Sequence, residues 1–334
     1  MVKIRVTLAT FFIFAAALLT GCAARTHVSI DLLNDPPCQN ASGLVWAGPK
    51  TPDHRAWLSN WCQSVGPALV RLPYLPQVDV ATSGLIVLTW NKHEGYGDLK
   101  QLLRSLDRGW AVVALLQEVS RASDRVPRDA PLTMRVPGRI GPVKSDDIFS
   151  VAEELNMSLV YVPSMPNGAG THEDRGCAIL STLPIEDIVG IELPRVSQRR
   201  VAVMGTVSGT SKGRPWHLRV VSVHLDNRLQ RAQQAAALAE FLIRQAPSDV
   251  PTLIGGDLNA WWGTEDRAAR EIDRAVPLVS ECGNEATFRF GLLPFRLDHL
   301  FTTLPRSART KCFVAPDRFG SDHHPIVLHL FKVD

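Results

Sequence analysis

The chain has 334 residues, 45% of them hydrophobic and 21% charged, with 23 Gly and 23 Pro spread along its length. That composition excludes a disordered chain, a collagen-like chain and a coiled coil, and fits an ordinary globular protein of one large domain or two smaller ones. The formal net charge of +3 is too small either to demand or to exclude a nucleic-acid partner.

Lys3 and Arg5 precede an uncharged, mostly apolar stretch from Val6 to Leu19. This is the pattern of a secretory signal and is too short to span a bilayer; no later apolar run reaches the ~20 residues that a spanning helix needs. The stretch ends in Leu19-Thr20-Gly21-Cys22, which resembles the lipobox of bacterial lipoproteins. The resemblance implies a signal peptide over residues 1–21, acylation of Cys22, and attachment to the membrane by lipid alone. With Ala23 rather than Asp after the cysteine, it further implies a cell-envelope location on the periplasmic face of the outer membrane. The alternative is an ordinary signal peptide with a cysteine nearby.

Export permits disulfides. Cys38 with Cys62, and Cys282 with Cys312, are the expected pairs, although sequence alone leaves the connectivity open. Cys177 lies in the apolar run Cys177-Ala178-Ile179-Leu180 and reads as a small buried hydrophobe. The chain has no Cys-x-x-Cys pair, which argues against a structural zinc site.

Residues 22–84 read as an irregular, Pro-rich N-terminal extension with one short helix over 53–62. The main domain, 85–334, begins with an apolar burst over 85–90 (Leu-Ile-Val-Leu-Thr-Trp), the pattern of a buried strand. A helix over 98–106, a strand over 111–116 and a helix over 148–155 follow. Strands are expected near 159–162, 178–181, 201–207 and 218–225. Residues 229–244 form the clearest helix, with Leu238, Phe241 and Leu242 at core spacing. The last strands are expected at 252–254, 297–302 and 326–331. Strands and helices do not alternate strictly, which argues against a simple parallel doubly wound sheet. One α/β domain of two packed sheets flanked by helices suits the pattern.

Polar groups stand where the expected strands stop: Asn91, Gln117 and Glu118, His224, Asp257 and Asn259, Asp298 and His299, then Asp322, His323 and His324. Any one of these is unremarkable at a solvated strand end. Together they supply carboxylates, amides and imidazoles at strand-to-loop junctions, where rigid scaffolds present reactive groups. The chemistry that uses this set is metal-assisted attack on a phosphorus ester. Oxygen donors suit a hard divalent cation, an imidazole held by a carboxylate suits a base acting on water, and neutral donors suit the phosphoryl oxygens.

In order along the chain, seven segments resemble the motifs of the endonuclease/exonuclease/phosphatase (DNase I-like) superfamily. They are Thr89-Trp90-Asn91, Gln117-Glu118-Val119, Arg175-Gly176-Cys177-Ala178-Ile179-Leu180-Ser181, Ser222-Val223-His224-Leu225, Gly256-Asp257-Leu258-Asn259, Leu297-Asp298-His299 and Ser321-Asp322-His323. The resemblance covers 85–334 and implies an α/β fold, a four-layer α/β/β/α sandwich. It implies Glu118 as the principal ligand of Mg²⁺ or Mn²⁺, with Asn91 and Asp322 completing or supporting the metal site. It implies His323 as base for the attacking water, oriented by Asp298. Asp257 would orient the nucleophile or handle a proton, Asn259 would bind the scissile phosphate, and His224 would contact the phosphate or assist the leaving group. His299 and His324 are expected to have supporting roles. Lys92 stands where the family has a small apolar residue, and either adds charge near the site or points outward.

The resemblance implies a phosphoester hydrolase and leaves the substrate open. A phosphodiester or phosphomonoester in the cell envelope is the first expectation, with the protein a lipid-anchored monomer. An extracytoplasmic nuclease is the second: Arg121, Arg125, Arg128, Arg135, Arg139, Arg199 and Arg200 offer charge to a nucleic acid, although a solvated basic loop explains them more simply. A non-catalytic envelope lipoprotein is the weakest, because no core catalytic position is lost.

Overall fold

The computed structural model describes residues 28–330, apart from 36–37, 39–42, 77, 81–83, 107–108, 129–145, 169–170, 229, 246–249, 277–281 and 283–284. The signal-like segment with Cys22 lies outside the described residues, as do Arg135 and Arg139. Among the described residues, two seven-stranded sheets form the centre. The first runs β1 (Asp31–Leu33), β2 (Val45–Gly48), β8 (Ile185–Glu192), β9 (Val201–Ser211), β10 (Arg214–His224), β11 (Thr252–Asp257) and β14 (Asp298–Thr302). The second runs β15 (Arg309–Val314), β16 (Ile326–Leu330), β4 (Leu85–Asn91), β5 (Ala111–Ala122), β7 (Glu173–Ser181), β6 (Ser158–Pro166) and β3 (Leu69–Arg71). A separate hairpin pairs β12 (Phe288–Phe290) with β13 (Leu293–Phe295).

The unbroken apolar run of β4 follows from burial on both faces. Leu85 and Val87 enter the core between the sheets with Val113, Val220 and Leu253. Ile86, Leu88 and Trp90 face the other way, under α2 (Leu99–Ser105) and α3 (Ile148–Glu154). On the far side, Leu238, Phe241 and Leu242 of α4 (Arg231–Gln245) cover Val221, Val223 and Ile254, joined by Ile272 of α5 (Arg267–Ala275). The result is the four-layer α/β/β/α sandwich that the motifs imply.

At the centre, β4 runs parallel to β5 and β10 parallel to β11, whereas β16 and β14 run antiparallel to β4 and β11. Four strand C-termini and two strand N-termini therefore meet at one end of the sandwich. Glycine lets the sheets close there. A Cβ on Gly255 would lie 2.8 Å from Thr89 Cβ and 2.9 Å from Leu115 in the opposite sheet, and one on Gly256 would lie 2.0 Å from Val223 O.

Residues 28–84 are more regular than their Pro-rich composition suggests. β1 and β2 extend one edge of the first sheet, β3 closes an edge of the second, and α1 (Pro52–Cys62) lies between them in the chain. Strands of three or four residues carry too few side chains to display a two-residue period. The Cys38–Cys62 and Cys282–Cys312 disulfides are both formed, and Cys177 is a buried free thiol. Lys92 points away from the cleft. It is fully buried beside the N-termini of α2 and α3, its Nζ has no hydrogen-bond partner among the described residues, and burial pulls it down to about 8 against the opposing charges of Asp146, Asp98 and Asp147.

His299 has no part in the site. It lies on the helix-facing side of β14, stacked on Phe301 with centroids 5.6 Å apart. Burial, and secondarily Arg296, lowers its pKa from 6.5 to about 3. Between those values the unfolded chain takes a proton that the folded chain refuses, so stability falls as pH falls through that window. His299→Phe, which keeps the stack, should recover roughly 1–3 kcal/mol at about pH 4 relative to wild type. Urea melts at about pH 4 and pH 7 check this; an unchanged pH difference refutes it.

Candidate active site

The predicted catalytic and metal residues fall at the end of the sandwich where the central strands meet. Asn91 ends β4, His224 ends β10 and Asp257 ends β11, while Asp298 opens β14 and Asp322 and His323 precede β16. All of these except Asp298 border a cleft of about 150 Å³, along with Glu118, Asn259, His93, Arg200, Asn227, Trp261, Phe288 and Leu297. Asp298 reaches the site through its contact with His323.

Glu118 owes its position to a break in β5. The register with β7 shifts between Leu116 and Val119, and Glu118 takes a left-handed backbone with φ 51°. Such a conformation costs a non-Gly residue of the order of 1–3 kcal/mol and is retained where the surroundings over-determine it. Its surroundings do so here. Glu118 Oε2 accepts the Glu94 N–H at 2.9 Å and lies 3.8 Å from Arg175 Nη1, while Oε1 lies 3.8 Å from His224 Nδ1. Burial alone would raise its pKa, but Arg175, His224 and Arg200 together hold the carboxyl well below the usual carboxylate range. Arg175 also pairs with Glu94.

Across the cleft, His323 Nδ1 lies 2.7 Å from Asp298 Oδ2. Asp298 is anchored through its own N–H, which donates to Thr287 Oγ1 at 3.1 Å. The Ser321 hydroxyl accepts the His323 N–H at 3.0 Å and donates to Asn91 O at 2.7 Å, and Trp90 Nε1 donates to His323 O at 3.1 Å. With Nδ1 committed, Nε2 faces the cleft, 4.0 Å from Asp257 Oδ2. Burial would lower His323, but Asp298, Asp257 and Asp322 raise it from 6.5 to about 10. At that value the ring carries its proton at pH 7, so Nε2 would be free to accept one only with a cation held by the neighbouring carboxylates, whose charge would bring the pKa down.

Asp257 links the two halves. Its Oδ2 accepts from Asn91 Nδ2 at 2.9 Å and lies 3.4 Å from His224 Nε2, and its Oδ1 accepts the Asn259 N–H at 2.8 Å. Burial, and then Asp298, raises its pKa. Asn259, at φ 49°, donates Nδ2 to Leu225 O at 3.0 Å. Burial, followed by Arg200, lowers His224 to about 4, so its ring is neutral at pH 7. Arg200 Nη1 lies 3.1 Å from its Nδ1 and 3.2 Å from its Nε2.

A hard divalent cation fits this donor set. Glu118, Asn91 and Asp322 present oxygen atoms to one cleft, and Asp322 Oδ1 is buried with no hydrogen-bond partner among the described residues. Asp257, Asp298 and His323 form a second cluster, with one donor atom each within 4.8 Å; there Asp298 Oδ2 and Asp257 Oδ2 accept from His323 and Asn91, while Asp298 Oδ1 has no hydrogen-bond partner among the described residues.

The sequence reading missed Arg175, Arg200, Glu94, His93, Trp261 and Phe288 as members of the site. Arg175 opens one of the family-like motifs and Arg200 belongs to the basic set that a solvated loop would explain, yet both are buried beside Glu118. Other basic residues are consumed structurally: buried Arg121 pairs with Asp174, and buried Arg199 with Glu192. His324 is bound to Ala315 O at 2.9 Å.

The model of the Endonuclease/Exonuclease/phosphatase family matches residues 88–323, more than half of the chain. The chain belongs to this family. Members of the endonuclease/exonuclease/phosphatase family are hydrolases of phosphoester bonds that typically use a divalent metal, and the chain is a hydrolase of that class. Solved structures share the fold at low identity. A family protein from Leptotrichia buccalis has a TM-score of 0.53 at 15% identity, over 75% of this chain and 99% of the other. One from Beutenbergia cavernae has 0.51 at 21%, over 74% and 71%. The human Nocturnin catalytic domain with bound sulfate anion has 0.51 at 16%, over 77% and 96%. No curated protein matches the chain by sequence.

Proposed function

We propose that the protein is a metal-dependent phosphoesterase of the cell envelope, hydrolysing a phosphodiester or phosphomonoester by base-assisted attack of water. The observation that carries this reading is the His323–Asp298 pair, 2.7 Å apart, with Nε2 turned into a cleft that also holds Glu118. Asp298 fixes the imidazole tautomer and stabilises the imidazolium as Nε2 takes a proton from water. Asp257, 4.0 Å from Nε2, orients that water and is the alternative proton acceptor. Asn259, neutral His224 and Arg200 supply donors for the phosphoryl oxygens and the leaving group. Mg²⁺ or Mn²⁺ held by Glu118, Asn91 and Asp322 would polarise the phosphoryl group.

The envelope location rests on the signal-like residues and on Leu19-Thr20-Gly21-Cys22. The nuclease reading loses support because Arg121 and Arg199 are buried in ion pairs. The test is a panel of a chromogenic diester, phospholipids, plasmid DNA and RNA with Mg²⁺ or Mn²⁺, run on membrane and soluble cell fractions. Activity should follow the membranes and leave them in Cys22→Ser. Cleavage of DNA or RNA alone would establish the nuclease instead, and unchanged fractionation of Cys22→Ser would sink the lipid anchor.

A further inference from the structure

The wall of the cleft continues into an apolar projection. At its base, Phe288 is bridged to the backbone of His323, and their rings lie 4.9 Å apart. Trp261 packs edge-on against Phe288 and Phe295, with ring centroids at 6.2 and 5.0 Å, which closes the base of the β12–β13 hairpin. The tip does the reverse. Phe290 pairs with Leu293 across a turn of Gly291 and Leu292, where Gly291 takes φ 59°. Phe290 is 67% exposed, Leu292 93% and Leu293 61%, and Trp262, next to Trp261, is 74% exposed. A tight turn has no folding reason to carry Leu at its most exposed position, and a cluster of this kind marks a surface that something else covers.

The sheet register says where this tip points. Partners can be followed across the first sheet: Asp31 with Gly48, Ala47 with Ile191, Glu192 with Val201, Ala202 with Val223, His224 with Asp257, and Asp257 with Asp298. Asp31, where the chain enters the fold, therefore lies at the same end as the catalytic carboxylates and the hairpin. Residues 22–30 can reach at most about 30 Å, so an acyl group on Cys22 would bring this end, and not the opposite one, to the bilayer. The chemistry of the tip agrees. Leu292, Leu293 and Pro294 at the turn are aliphatic, and exposed Arg289 on the same hairpin suits an anionic headgroup layer; Phe290 and Trp262 are rings of the kind that also sit at a membrane interface, and the plasmid arm of the test below separates that from base stacking.

We propose that the β12–β13 hairpin inserts its tip into the lipid layer, so that the cleft meets phosphoesters presented at the membrane surface. The substrate part of this inference rests on the phosphoesterase reading above; the insertion does not.

The test uses the full chain with Leu292→Cys carrying an environment-sensitive fluorophore, mixed with vesicles of phosphatidylethanolamine and phosphatidylglycerol. Tyr74→Cys, labelled in the same way, is the control. Tyr74 is 95% exposed and follows β3, whose Arg71 pairs with Leu159 at the opposite end of the second sheet. Emission should shift to the blue and be quenched by bilayer-embedded quenchers at position 292 only. No shift at 292, or an equal shift at both positions, overturns the insertion. In the kinetic arm, Leu292→Ser with Leu293→Ser should lower hydrolysis of vesicle phospholipid at least about tenfold relative to a soluble chromogenic diester. An unchanged ratio, or a selective loss of plasmid cleavage, overturns the lipid substrate. If the wild type hydrolyses none of these, the phosphoesterase reading fails, while the fluorescence still decides the hairpin.

Discussion

His323→Ala should lower turnover per folded molecule by roughly 10²–10⁴-fold, the range for loss of a positioned general base. The side chain is almost fully buried, but its removal leaves the backbone contacts to Ser321 and Trp90 in place, so the variant should fold. Asp298→Asn should cost less, because the imidazole remains and only its tautomer and charge stabilisation suffer. The double variant should be no worse than His323→Ala alone, since the two side chains act as one unit. Circular dichroism and melting temperature establish folding, and turnover is then compared per folded molecule. Near wild-type turnover in well-folded His323→Ala would remove His323 as the base and leave Asp257, whose raised pKa suits it to accept a proton.

Glu118→Ala should abolish metal binding and activity together, with a loss of roughly 10²-fold or more. The carboxylate is the counter-charge for Arg175, Arg200 and His224, so its removal leaves buried positive charge where a cation must bind. Glu118→Gln keeps the shape and loses the charge, and should fail to take up Mg²⁺ or Mn²⁺ in titration calorimetry while keeping a wild-type circular dichroism spectrum. Excess EDTA should reproduce the same loss in wild type. Full activity in EDTA, or metal affinity unchanged in Glu118→Gln, contradicts the metal site.

The residues that build the site were legible because each closes a strand whose apolar pattern is itself legible. The run from Leu85 to Trp90 and the burst ending at Leu116 place Asn91 and Glu118 at strand ends by counting alone. What counting cannot supply is which ends meet. That depends on β4 running parallel to β5 and β10 parallel to β11, a choice made by connections far apart in sequence. Glu118 was readable as a strand-end acid, but its left-handed turn within a longer strand was not, since no glycine announces it. Arg200 reads as surface charge, and Arg175 only as the start of a motif, because type and position cannot tell a solvated guanidinium from one held by a buried carboxylate. The hairpin over 288–295 went unread because Phe-Arg-Phe-Gly-Leu-Leu-Pro-Phe has an apolar turn where polar turn residues are the usual signal.

The place of β16 in the second sheet has a consequence for how the molecule comes into being. This strand, residues 326–330, lies between β15 and β4, and pairs along its whole length with residues 85–89. A ribosome or a translocation channel that has released everything up to β15 has therefore released a sheet with a missing interior strand and an open edge at β4. Contacts that span some 240 residues form slowly and only once the last of them is available. The imidazole of His323 and the carboxylate of Asp322 arrive with that same strand, so the candidate site stays incomplete until the last residues of the chain are in place.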